Sequence, residues 1–582
     1  MLFLEGTWQL ALGYGSALSV YAPNSLWLLG LSVVSFLLIP VLFRNDRILT
    51  FYALLLLPAF FAWKHSYARE MGVYLAVFLH FLIFFFALFL IYVERIRIVH
   101  LLLIYLAFIG IYKNIKLSEP GYSVGTISFT GFRNFNDAVF NNSHLVKTAL
   151  AESDSNIASK KLPLEVLKLI GRQSVDFYPT ELGYAAANTL NWVPRPVIQS
   201  YITYTPWLDE QNAAWLSSGN SAQFIIWEFS HDKWSSAGFG EVDERLVLNN
   251  EPLALYQLLN HYSPVYKDKE IILFKKTAAE NLNPPQLAGN ETTTWDKWVA
   301  VPRINNGILR ARTNCPENFL GFMKRTLFKD ELFFVDYKLA NGNIITYRFI
   351  PENAKNGLWI NPIIRNPADT VPCPAGKLDS MRFRCTNNTF VKKSIDLTWE
   401  LITLKQDNTK SSNFNAVYKM FMQYKSKDTV PALHFTNDFE HKYEYWDSND
   451  SNISTEMHHS GNKCELINPK KISSMFNFPA LALLDDSASL TINVSAWFKL
   501  ANKARGSLVI QLFDANGSFY WNSWQLGYYG DSSHEWSQVS AEISFGRTLR
   551  KNIQVRVYFL NDAAEKIWID DIDIKLYSFK NI

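Results

Sequence analysis

NIQVRVYFLNDAAEKIWIDDIDIKLY, residues 552–577, carries the clearest structural signal in the chain. Apolar residues recur at every second place, Ile553, Val555, Val557 and Phe559, and side chains of a strand alternate between its two faces, so this run buries one face and leaves the other outside. Residues 566–577 read as a further strand. Working back from them, residues 490–500, 507–514, 519–526 and 536–545 are four more strand candidates, and Asn516-Gly517 sits between two of them as a hairpin turn tolerant of positive φ. Six such runs predict an antiparallel two-sheet sandwich over residues 431–582.

The polar, Lys-rich residues 406–430 read as a linker. Before it, β-rich runs at 332–339 and 343–350 flank Asn341-Gly342, which predicts a second sandwich over 297–405. A stretch rich in Asn, Pro and Thr after Glu280 marks another boundary. Upstream the period changes: strands are expected at 173–178, 196–201, 222–229 and 271–274, alternating with helices at 181–190, 207–216 and 252–261. That order predicts an α/β domain over 121–277 with a largely parallel sheet.

Residues 1–112 hold only six Lys/Arg and four Asp/Glu among long apolar runs. Residues 26–43, 48–63, 71–93 and 98–112 carry no charge, and a span needs roughly 20 apolar residues, so four transmembrane helices are expected. Aromatic residues near the run ends, Trp27, Tyr52, Trp63, Tyr92 and Tyr112, agree with headgroup-level placement. The resulting fold class is multi-domain: an α-helical transmembrane bundle, an α/β domain and two all-β sandwiches, the last jelly-roll-like. Arginine pairs in two short turns orient the bundle as a multi-pass protein of the cytoplasmic (inner) membrane with residues 113–582 extracytoplasmic.

A chain of 582 residues predicts three or four domains. Its net charge of +3 and lack of a long basic run argue against a nucleic-acid partner. The four cysteines, Cys315, Cys373, Cys385 and Cys464, show no zinc spacing. Cys373 and Cys385 either pair as a disulfide or stay buried free thiols.

The segment DFYPTELGYAAANTLNWVPRPVIQSYITYTPWLDEQNA, residues 176–213, resembles uncharacterised bacterial polytopic envelope proteins, whose layout is similar to that of polytopic glycosyltransferases using lipid-linked sugars. On the functional reading Asp176 or Glu181 acts as a general base, Arg195 anchors a phosphate or carboxylate, and Tyr178, Gln199 and Tyr201 line the crevice. On the structural reading Glu181 stabilises a helix start, Arg195 neutralises a carboxylate and the tyrosines pack.

The last domain, with Asn437-Asp-Phe-Glu440, His459-Ser-Gly461 and Trp568-Ile-Asp-Asp-Ile572, resembles carbohydrate-binding-module-like jelly rolls of the galactose-binding type. The resemblance implies a structural calcium at Glu440, Ser460 and Asp571 and sugar-facing aromatics among Trp521, Trp524 and Tyr528. Trp521 and Trp524 are an odd number of places apart, so a regular strand sends them to opposite faces and at most one is a platform. Envelope polysaccharide is the expected partner, with no cofactor beyond calcium and the oligomeric state left open. The expected function is an accessory or binding protein in cell-envelope glycan handling. The alternative is a glycan-modifying or glycosyl-transferring enzyme working with spans upstream of residue 1.

Overall fold

The computed structural model describes residues 2–19, 46–69, 137–158, 160–228, 241–268, 271–304, 307–339, 344–361, 378–405, 431–447, 452–479, 488–501, 506–514, 517–530, 535–545, 553–561 and 565–580, with a few single positions between 74 and 109. They fall into two compact units. The larger takes in residues 1–13, 161–316 and 333–582; the smaller takes in residues 14–160 and 317–332.

The larger unit is mostly β-sheet. Its first layer is a five-stranded sheet in the order Asn191–Trp192, Ser174–Tyr178, Phe224–Glu228, Ile271–Lys276, Tyr262–Lys267. The first three strands are parallel and the last two run antiparallel. Residues 196–201 make no strand. Pro194 and Pro196 remove ladder donors there, and the chain instead turns through a 3-10 element at Ser200–Ile202.

A sandwich follows. One sheet orders Leu358–Asn361, Ile308–Asn314, Ser394–Ile402 and Gln286–Thr294. The other includes the antiparallel pair Phe333–Leu339 and Ile344–Arg348, and it also takes in Arg245–Leu246 from the preceding region. One continuous core runs from Trp227 and Leu258 to Val335, Trp399 and Ile402, so the α/β layer and this sandwich share their apolar interior.

The C-terminal sandwich has its own core. Its six-stranded sheet is built around Ala488–Leu500 and Ile567–Lys580. Its five-stranded sheet orders Trp446–Asp447, Met475–Pro479, Gln554–Asn561, Gly506–Asp514 and Gly517–Gln525. Every pairing is antiparallel. Val555, Val557 and Phe559 meet Leu508, Ile510 and Leu512 inside, as the two-residue period requires. Gly517 opens its strand at φ 110°, a value L side chains resist.

The expected transmembrane bundle has to be corrected. Among the described residues no helix is long and apolar enough to cross a membrane, and the described architecture is dominated by sheets. The multi-pass inner-membrane placement with residues 113–582 outside loses its basis with the bundle. Residues 26–43, and all but a few positions of 71–93 and 98–112, lie outside the described residues.

Residues 48–63 belong to the helix Asp46–Ala68. Sixteen residues at ~1.5 Å each cover ~24 Å, short of the ~30 Å hydrocarbon core. The end of the run is also committed within the smaller unit: Trp63 Nε1 donates to the Leu327 carbonyl at 2.9 Å, and Lys64 Nζ donates to the carbonyls of Arg325 and Phe328. These carbonyls lie at the C-terminal end of the helix Phe319–Leu327, where the last carbonyls have no partner within the helix.

Candidate functional site

Two polar clusters in the larger unit include the residues singled out from the sequence. The first gathers where the strand Ser174–Tyr178 ends. Asp176 and Arg195 form an ion pair at 3.1 Å, both fully buried. Trp192 Nε1 donates to the other Asp176 oxygen at 3.0 Å. Arg195 also donates to the carbonyls of Phe177 and Pro179, and Glu251 lies 3.8 Å from its second nitrogen. Asn212 Nδ2 donates to Glu251 at 2.7 Å and Thr203 Oγ1 at 3.3 Å. Burial raises the Glu251 carboxyl against the opposing pull of Arg195, and burial pushes the Tyr178 phenol well above its ordinary value.

Asp209 extends this cluster. It accepts from the amides of Leu253 and Ala254, the first turn of the helix Pro252–His261, and from Asn356 Nδ2 at 2.9 Å. Burial lifts its carboxyl to about 7 despite those donors. The other candidates in this region stand apart from Asp176. Glu181 folds back to accept from the Gly183 amide at 2.6 Å, and Tyr201 donates to Gln199 at 3.0 Å, both half-buried. Asp176, Tyr178, Arg195, Asp209 and Glu251 are all buried, so the cluster ties strand, loop and helices together and turns no open face to a substrate. Glu251 escaped the sequence reading. Its only signal was its place directly before a helix-opening proline.

The second cluster lies on the outer face of the five-stranded sheet. Because Leu508, Ile510, Leu512, Val555 and Val557 are core, Gln511, Arg556 and Tyr558 stand on the opposite face. Register places Trp521, Gln511, Arg556 and Asn477 side by side in one row across four strands. Trp521 is 51% exposed, whereas Trp524 is 6% exposed and belongs to the core.

The Trp521 indole is held in place: Nε1 donates to the Tyr558 hydroxyl at 3.3 Å, which itself lies 3.5 Å from Gln511 Oε1. Gln511 Nε2 donates to Ser518 Oγ at 3.0 Å. The Arg556 guanidinium rests on the Phe513 ring, 4.0 Å from its centroid. Tyr528 falls in the 3-10 turn Leu526–Tyr528, and its side chain is outside the described residues. Gln511, Arg556 and Tyr558 were legible in principle, since the alternation that marks Val555 and Val557 as core sends their neighbours outward.

At the expected calcium position, Ser460 Oγ donates to Asp571 at 2.7 Å and His459 Nδ1 lies 2.6 Å from its other oxygen. The His459 ring stacks on Trp497 at 4.0 Å. Asp570 accepts from the amides of His459, Ser460 and Asp571. Glu440 accepts from the amides of Asn462 and Lys463 through one oxygen. A hard cation needs several free oxygen lone pairs. The donors meet both Asp571 oxygens and Glu440 Oε1, so a calcium ion held there would compete with them for lone pairs. Of the cysteines, Cys373 lies outside the described residues, Cys385 donates to Asn388 Oδ1 at 2.9 Å, and burial pushes the Cys315 and Cys464 thiols to about 12.

No family model matches the chain, and no curated protein does. Solved structures that it resembles include a family 16 carbohydrate-binding module, at 15% identity and a TM-score of 0.16 over 21% of this chain and 82% of that one. Another is the CBM22-1 xylan-binding domain of Paenibacillus barcinonensis Xyn10C, at 13% identity and a TM-score of 0.17 over 21% and 78%. A third is the C-terminal family 22 carbohydrate-binding module of Clostridium thermocellum Xyn10B, at 12% identity and a TM-score of 0.18 over 25% and 96%.

Proposed function

We propose that the chain is a glycan-binding protein whose C-terminal sandwich takes up sugar on the outer face of its five-stranded sheet. The observation that carries this reading is the half-exposed Trp521, fixed by Tyr558 and set in one row with Gln511, Arg556 and Asn477. An indole face covers the apolar C–H surface of a pyranose, and neighbouring amide and guanidinium groups suit its hydroxyls. Restraining the ring beforehand lowers the entropy lost on binding.

The test is calorimetry of the full chain against a panel of oligosaccharides, beside Trp521→Ala and Trp524→Ala. Saturable binding lost in Trp521→Ala, with its thermal unfolding unchanged, supports the reading. Equal binding by Trp521→Ala and the native chain would overturn it.

A further inference from the structure

We infer that the glycan taken up on this face is acidic, with a sugar carboxylate meeting the Arg556 guanidinium; this deepens the proposed function and rests on it. Arg556 occupies the middle of the row, one strand from Gln511 and one from Asn477. No carboxylate of the described residues pairs with it, and its Nε is buried without a hydrogen-bond partner. Arg195, Arg310, Arg325, Arg382 and Arg384 each have an acid within ion-pair distance.

The Phe513 ring lies under the Arg556 guanidinium at 4.0 Å. It holds the planar fork in place without neutralising it, and leaves donors for a carboxylate, which such a fork binds in bidentate fashion. Two strand spacings, roughly 9.6 Å, separate the Trp521 and Arg556 backbones. A disaccharide spans that interval, so one sugar stacks on the indole while the acid group of a neighbour reaches the guanidinium.

The experiment uses the full chain and oligosaccharides of galacturonate, glucuronate and mannuronate, each as the free acid and as its methyl ester. The ester keeps shape and hydroxyls and removes the charge. One acid should bind about ten- to hundredfold more tightly than its ester, the range of a charge-assisted hydrogen bond. Arg556→Gln should bring acid and ester to the same affinity, and Trp521→Ala should weaken both. Thermal unfolding of each variant confirms that it is folded.

If the native chain binds neutral sugars but acid and ester equally, or if Arg556→Gln leaves the acid-to-ester ratio unchanged, the acidic assignment is overturned and glycan binding stands. Should the native chain bind no glycan of any kind, both fall together.

Discussion

Arg195 and Arg556 are both arginines held against an aromatic ring, Tyr178 at 5.2 Å in one case and Phe513 at 4.0 Å in the other. What separates them is where their counter-charge comes from. Arg195 receives Asp176 and Glu251 from its own chain, and all three are sealed from water. Arg556 receives no acid from the described residues and sits on a sheet face beside an exposed indole. A guanidinium on a ring is thus no site by itself. When the chain supplies the carboxylate, the pair holds the fold together; Arg556 lacks one among the described residues, which is what the proposed acidic ligand would supply.

The largest expected effect tests the sealed half of this contrast. Asp176→Ala strands a buried guanidinium, and breaking such a pair costs about 3–5 kcal/mol. Urea unfolding should register that loss, and combining Asp176→Ala with Arg195→Met and Glu251→Gln should recover part of it, since no buried charge is then left without its partner. A single variant as stable as the native chain would break the comparison.

The tryptophan pair gives the next effect. Trp524→Ala should lose about 3–5 kcal/mol of stability, as a buried aromatic does. Trp521→Ala should leave stability alone and weaken glycan binding about thirtyfold, corresponding to ~2 kcal/mol at a central aromatic contact. Calorimetry paired with thermal unfolding separates the two.

Asp209 sharpens the comparison through pH. Its carboxyl is lifted to about 7, above the ordinary carboxylate value, so the native state holds a proton that the unfolded chain releases. Its contribution to stability is therefore greatest at acid pH and is lost as pH rises from about 4 to 7. Asp209→Asn cannot lose that proton, so the stability gap between native chain and variant should narrow with rising pH over this window. A gap independent of pH would show that Asp209 titrates alike in the native and the unfolded chain, with no raised pKa.

Calcium is the smallest expected effect. With both oxygens of Asp570 and Asp571 and one of Glu440 already met by donors, adding calcium or a chelator should leave the melting curve in place. A melting temperature that rises and saturates with calcium would mean that these oxygens turn to a cation.

How far the sequence could be read varied with the range of the interactions involved. The alternation at residues 553–559 corresponds to the strand Gln554–Asn561, and Gly517 opens the second strand of an antiparallel pair. Three-residue spacing was enough to send Trp521 and Trp524 to opposite faces, but which face would be core depended on the second sheet. In the α/β layer, Asp176 and Arg195 were visible as a possible site because both are polar residues close in sequence. Glu251, which comes 56 residues after Arg195 and completes their burial, was not.

The apolar residues 48–63 were legible as a helix, while their surroundings were not. An uncharged run has the same appearance whether its neighbours are lipid or side chains, and the bonds from Trp63 and Lys64 to the end of Phe319–Leu327 join residues more than 250 places apart. By itself the sequence determined local periodicity, turn positions and the sharing of faces, because those follow from backbone geometry over a few residues. Only the tertiary structure decided which face was covered and which charges were paired, because each depends on groups that meet only when distant segments pack together.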